Sequence, residues 1–222
     1  MSLILNIDTA LDTASVCLSE NGDVQLLSSS ENKKDHATWL HTEIAEQLRK
    51  NGHVTKDLHA VAVSIGPGSY TGLRVGLAAA KGFCFALHIP LITVNSLKIC
   101  ALAAKEEAID VICPLIDARR MEVFTALYDK ELREKISPHA LVLDENSFAQ
   151  VLSSAKVLFC GNGVKKLQPV ISNNNAFFSQ TTANASHLAQ LSFHCYNKKE
   201  FADLAYAEPL YIKEFYSASR NN

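Results

Sequence analysis

The sequence predicts an α/β protein of two similar lobes, each with a mixed sheet flanked by helices, and a cleft between them. Two observations carry this. The order three strands, helix, strand, glycine turn, helix is written twice along the chain. The apolar run that opens each half ends in an aspartate, Asp8 or Asp117, and the later strand of each half runs into a glycine, Gly66 or Gly161.

In chain order, "LILNIDTA" reads as a strand, and "ASVCLSENGDVQLLSSS" as two more joined through Asn21-Gly22, a strong hairpin signal. In "DHATWLHTEIAEQLRKNG", Trp39, Leu40, Ile44 and Leu48 recur at helical spacing and Asn51-Gly52 supplies the stop. The strand "HAVAVSIG" feeds a glycine-rich helix, then come the strand "IPLITV" and the helix "NSLKICALAAKEEA". The second half repeats the order with "VICPLIDAR", "MEVFTALYDKELREKI" as strand, tight turn and strand, "DENSFAQVLSS" as a short helix, and "KVLFCGNG" as a strand ending in a glycine turn. No Pro-rich, Ser-rich or charged linker separates the halves. The expected lobes are residues 1–105 and 106–222, with the C-terminal tail a candidate to pack back on the first.

Composition narrows the function classes. A chain of 222 residues, 48% hydrophobic and 20% charged, is long enough for two small lobes. The longest apolar passage, Leu77 to Val94, is broken by Lys81, His88 and Pro90, so it makes a poor membrane span. The amino terminus lacks a basic n-region and a secretory cleavage site, and the expected location is cytoplasmic. Six cysteines, at 17, 84, 100, 113, 160 and 195, sit among apolar neighbours with no CxxC pair, as reduced buried thiols do. A net charge of −2 and a pI near 6.4 leave no general basic field for a phosphate backbone, so any nucleic-acid contact is expected to be indirect, with another chain supplying most of the grip.

The segment "SIGPGSYTGLRVGLAAAKG" concentrates the glycines. It lacks GxxxxGK[ST], and its Gly66, Gly68 and Gly72 give GxGxxxG, one residue too many for a dinucleotide fingerprint. As architecture it is more coherent. Pro67-Gly68 reads as a tight turn in which glycine tolerates φ > 0, and Ser69 or Thr71 can cap the helix that follows. Within that helix Gly72, Gly76, Ala79 and Phe83 share one side, although a mid-helix glycine costs about 0.8–1 kcal/mol against alanine. Close backbone approach offsets such a cost, and the approaching element is either the chain's own sheet or a partner's helix.

Metal and nucleophile chemistry find little support. His36 and His41 are five apart, so they do not share a helix face as i, i+4 ligands would, and His187 and His194 are two turns apart. Ser69 stands in no GxSxG elbow.

The segments "LNIDTA", "DHATWLH", "GPGSYTGLRVG", "IPLITVNSL" and "IDARRMEVF", in that order, resemble the bacterial TsaB (YeaZ) family over about the first 130 residues, with "EPLYIKEF" as a matching tail. The resemblance implies a duplicated actin/Hsp70-like (ASKHA) fold. It also implies a non-catalytic partner of the paralogue TsaD, which transfers threonylcarbamoyl to N6 of the adenosine beside the anticodon in tRNAs reading codons that start with A. The family's pairing surface, used for TsaD or for a second copy when alone, corresponds to helices His36–Lys50 and Tyr70–His88. The residues assigned to it are Trp39, Leu40, Ile44, Gly72, Arg74, Val75, Gly76, Ala79 and Phe83, with Trp39 as aromatic anchor and Arg74 as a rim charge. Gly66, Pro67, Gly68, Ser69 and Thr71 form the motif loop. The ATPase TsaE is expected to join through the complex. In such folds an aspartate ends the first strand of each lobe; Asp8-Thr9 and Asp117 fit as vestigial positions, but Ala118-Arg119-Arg120 lacks the glycines that let a backbone approach phosphates. No cofactor or metal is expected in the isolated chain, and a nucleotide only at a partner interface. The rival reading is an independent actin-fold enzyme, such as a small-molecule kinase with Asp8 as its base.

Overall fold

A computed structural model describes residues 2–30 and 36–213, including the backbone but not the side chain of His36. Asp35, the His36 side chain and the last residues of the "EPLYIKEF" match lie outside the described residues.

The first sheet contains β1 (Leu3–Asp8), β2 (Ala14–Glu20), β3 (Asp23–Ser30), β4 (Ala60–Gly66) and β5 (Leu91–Asn95), in the order β3-β2-β1-β4-β5. Asn21 and Gly22, with φ of 52° and 91°, make the turn that lets β2 and β3 pair antiparallel. β1 pairs antiparallel with β2 and parallel with β4. Because β1 is central and covered on both faces, every residue in it is buried.

Alternation along β1 sends Leu3, Leu5 and Ile7 to one core and Ile4 to another. The first core is closed by α1 (His36–Lys50) and α2 (Tyr70–Leu87); the second by α3 (Ser96–Ala103) and α6 (Ala185–Lys198). α6 follows the second sheet in sequence yet packs on the first. Its Ser192 hydroxyl donates to Asn6 Oδ1 at 2.5 Å, and the Ala185 amide donates to Ser15 Oγ at 2.9 Å.

The second sheet contains β6 (Val111–Asp117), β7 (Glu122–Asp129), β8 (Glu134–Val142), β9 (Val157–Cys160) and β10 (Ala176–Phe178), in the order β10-β9-β6-β7-β8. Read from the other edge, this is the first sheet's order and direction repeated, with β6 in the place of β1. The helices do not repeat equally. Where α1 and α2 have 15 and 18 residues, α4 (Ala149–Leu152) and α5 (Val164–Leu167) have four each. The helix predicted over "DENSFAQVLSS" is thus mostly turn, broken by Phe148 at φ 66°.

Among the described residues no helix is long and apolar enough to cross a membrane. The cysteines are free thiols, five buried and Cys195 partly so, and burial pushes Cys17, Cys100 and Cys113 up to about 12.

Candidate functional site

β4 ends in the glycine loop. Gly66 has φ 112° and is followed by a cis peptide to Pro67, so the left-handed position falls on Gly66 and not on Gly68, where the sequence suggested it. Gly68 is needed for a different reason: a Cβ there would lie 2.2 Å from the Ala10 carbonyl oxygen. The Ser69 amide donates to that same carbonyl at 2.7 Å, and Ser69 Oγ accepts from the Gly72 amide at 3.3 Å as the helix cap. Thr71 is exposed on the first turn.

The glycine face of α2 is turned inward. A Cβ on Gly72 would meet the Thr9 carbonyl oxygen at 2.1 Å, and one on Gly76 would meet Thr9 Oγ1 at 2.2 Å. Thr9 Oγ1 in turn donates to the Gly72 carbonyl at 2.7 Å. These glycines therefore admit the end of the chain's own β1, which corrects their assignment to a partner's helix. Leu40 and Ile44 need the same correction: at 0% and 1% exposure they close the first core, as does Ala79. The apolar periodicity that located these helices marks the inward side of each.

What faces outward on α2 is the opposite stripe. Arg74, Ala78, Gly82 and Phe85 are exposed, Val75 is half-buried, and Phe85 reaches 73% exposure. Around Gly82 an added Cβ would find nothing within 4 Å, so no packing within the chain requires that glycine. Phe83 and Trp39 are half-buried at the α1 edge, where Phe83 faces His41 with ring centroids 6.5 Å apart. On the other edge Arg74 stacks 4.0 Å over the Tyr70 ring and donates through Nε to Tyr211 Oη at 2.9 Å. Ala78, Gly82 and Phe85 were missed from sequence, although with Val75 they recur at helical spacing.

The two strand-end aspartates are not equivalent. Asp8, 4% exposed, accepts from Ser64 Oγ at 2.6 Å and from the Ala10 amide at 3.1 Å, both through Oδ1. Burial holds its carboxyl above the usual range, partly offset by Ser64, Ala10 and the nearby His187. Asp117 is exposed; it accepts from the Arg119 amide at 2.7 Å and pairs with Lys166 Nζ at 2.6 Å. Partial burial pushes the Asp117 carboxyl up, but the Lys166 and Arg119 bonds outweigh it and hold the group low.

Between the lobes lies a cleft of about 540 Å³, lined by Ala10, Gly68, Asp117, Arg119, Tyr211 and Lys213 among others. Asp117 lines this space and Asp8 does not, so the carboxylate pair that a kinase would use is divided. In "CGNG", Gly161 and Gly163 are spent on β6: Cβ atoms there would lie 2.5 and 3.0 Å from Leu115 backbone atoms. The C-terminal segment crosses the cleft, its Leu210 amide donating to the Ile65 carbonyl at 2.7 Å and Lys213 pairing with Glu122 on β7. The His187 ring accepts from the Asn184 amide in the α6 cap.

Comparison with known proteins bears on this architecture. Residues 29–214 match the family model for TsaD, tRNA N6-adenosine threonylcarbamoyltransferase. The chain is 30% identical over 217 residues to the tRNA threonylcarbamoyladenosine biosynthesis protein TsaB of Bacillus subtilis, covering 95% of this chain and 93% of that protein. The TsaB of Haemophilus influenzae is 28% identical over 233 residues, again covering 95% and 93%. The solved structure of YeaZ from Pseudomonas aeruginosa superposes with a TM-score of 0.81 at 25% identity, over 95% of this chain and all of that one. The paired five-stranded sheets are the duplicated actin/Hsp70-like fold. With near full-length identity at this level and a matching fold, the chain belongs to the TsaB (YeaZ) family of tRNA threonylcarbamoyladenosine biosynthesis proteins.

Proposed function

We propose that this chain is the non-catalytic subunit that binds and stabilises the TsaD transferase in threonylcarbamoyladenosine modification of tRNA, docking through the outward faces of α1 and α2. One observation carries the docking face: Gly82, in the interior of an 18-residue helix, has open space around it and exposed Ala78 and Phe85 beside it. A mid-helix glycine weakens a helix unless close approach by another element offsets it, and within this chain nothing approaches. An exposed phenylalanine among small residues is the composition of a pairing face. Trp39, Val75 and Phe83 border it, and Arg74 is its rim charge.

The match to the TsaD family supports a paralogue of the chain as the partner, and a second copy takes the same face when TsaD is absent. TsaE joins through that complex. Catalysis resides in TsaD on this reading, which draws support from the division of Asp8 and Asp117 between a sealed strand end and the cleft wall.

The test is a binding titration of Gly82→Leu against the organism's purified TsaD. The side chain enters open space in the isolated chain, so its melting temperature should hold or rise. Association should weaken at least about tenfold, the loss expected when a central contact is spoiled. Unchanged affinity would overturn the docking assignment.

A further inference from the structure

The outward face of α2 is bounded on one side by α1. On the other it is bounded by the segment that follows α6, and this second border carries its own exposed aromatic. Ala202 pairs with Leu91 at the edge of β5, and Leu204 and Ala207 pack against the first core. Between them the chain makes a closed turn. Asp203 Oδ1 accepts from the Ala205 amide at 2.8 Å and the Tyr206 amide at 3.2 Å, and the Ala207 amide returns to the Asp203 carbonyl at 2.8 Å. The turn is then fixed to α2: Lys81 Nζ donates to the carbonyls of Ala205 and Ala207, each at 3.1 Å.

The two carbonyls that Lys81 holds flank Tyr206. Tyr206 is 82% exposed, the most exposed of the large apolar or aromatic residues described. Phe85 lies one turn beyond Lys81 on the same helix, so the turn that carries Tyr206 and the exposed Phe85 have Lys81 as a common neighbour. A tyrosine on a turn pinned by five hydrogen bonds presents a large contact area whose backbone ordering is complete before any partner arrives.

We infer that the turn Asp203–Ala207 is a third element of the pairing face, and that Tyr206 is its aromatic anchor for the TsaD transferase. This rests on the docking reading given above. The occupant follows from continuity: Lys81 joins this turn to the helix that carries Gly82 and Phe85, so a partner lying along that helix reaches Tyr206 as well. Two independently placed aromatics, one on a helix and one on a turn, require a partner surface with two matching recesses, which narrows the choice of partner beyond what a single small-residue stripe does.

The full-length chain with Tyr206→Ser, Tyr206→Phe and, separately, Gly82→Leu is titrated against purified TsaD, with thermal unfolding measured for each. Tyr206→Ser should melt with the parent, because its ring touches solvent, yet bind at least about tenfold more weakly. Tyr206→Phe should bind within about twofold of the parent, since the ring is the anchor. Parent-like binding by Tyr206→Ser with weakened binding by Gly82→Leu would overturn the anchor and leave the docking face standing. Parent-like binding by both would overturn both readings. If Tyr206→Ser weakens only self-association, the assignment to TsaD is overturned in favour of a second copy.

Discussion

At the scale of single residues, Asp8 shows how far position and chemistry can part. Its place at the end of β1 was legible from an apolar run that stops at a carboxylate, and the same signal located Asp117. That one is sealed and the other open was not legible, because the cover comes from Ser64 on β4 and from the α6 cap, remote in sequence. Burial raises the folded-state pKa of Asp8 above its ordinary value, so between the two values the native state binds more protons than the unfolded chain. The resulting contribution to stability is present at low pH and is lost as pH rises through the raised value. Asparagine keeps an oxygen for Ser64 and Ala10 without the desolvated charge. Asp8→Asn should therefore remove that downward slope and unfold at neutral pH no more easily than the parent. His187, depressed by burial and partly restored by the Asp8 charge, contributes the opposite slope below its ordinary pKa, and contributes more of it in the variant, where that charge is gone. Denaturant melts across pH with His187→Gln added to both proteins, taken as the difference between them, isolate Asp8. Equal slopes would refute a raised carboxyl. With TsaD present, turnover of tRNA modification by Asp8→Asn and by Asp117→Asn should stay near the parent's, and a large loss with the complex intact would place catalysis in this chain.

At the scale of elements, the hydrophobic period located α1 and α2 and the strands on either side, since packing and periodicity agree there. It did not say which side of α2 needs its glycines, because a glycine is equally at home beneath the chain's own strand or beneath a partner. Gly76 lies against the chain's own Thr9, whereas Gly82 has open space around it. An alanine methyl at Gly76 would meet Thr9 Oγ1, which is already held by the Gly72 carbonyl, so Gly76→Ala should destabilise the chain by about 1–3 kcal/mol through overpacking. Gly82→Ala meets nothing and gains helix propensity, so it should stabilise by up to about 1 kcal/mol. Chemical denaturation of the two variants gives the comparison, and the signs should differ. A stabilised Gly76→Ala would mean that the helix does not sit on Thr9. The second lobe gave a weaker helical signal: α4 and α5 are single turns, and so short a stretch carries little period to read.

For the molecule as a whole, the repeat of strand order was readable because it depends on local patterns written twice, whereas the return of α6 to the first sheet depends on contacts between residues some 180 positions apart. That return bears on whether the halves behave as separate units. Leu188 of α6 is fully buried with Ile4, Ala60, Ile92 and Ile99, all from the first half of the chain. The cover of the first sheet's second face, begun by α3, is therefore incomplete until the chain has passed through the second sheet and come back. Leu210 then bonds to the end of β4 while Lys213 reaches Glu122 on β7, so the same segment ties both lobes across the cleft. Two sheets stitched in this way should unfold together, even though each has its own core. Leu188→Ala removes a side chain from the shared cover and should cost about 2–5 kcal/mol. If the stitching holds, scanning calorimetry of the full chain will show one transition in the parent and one in the variant, shifted to lower temperature. Were the lobes independent, the variant would instead split into two transitions, the one belonging to the second sheet staying at the parent's temperature while the first moved alone.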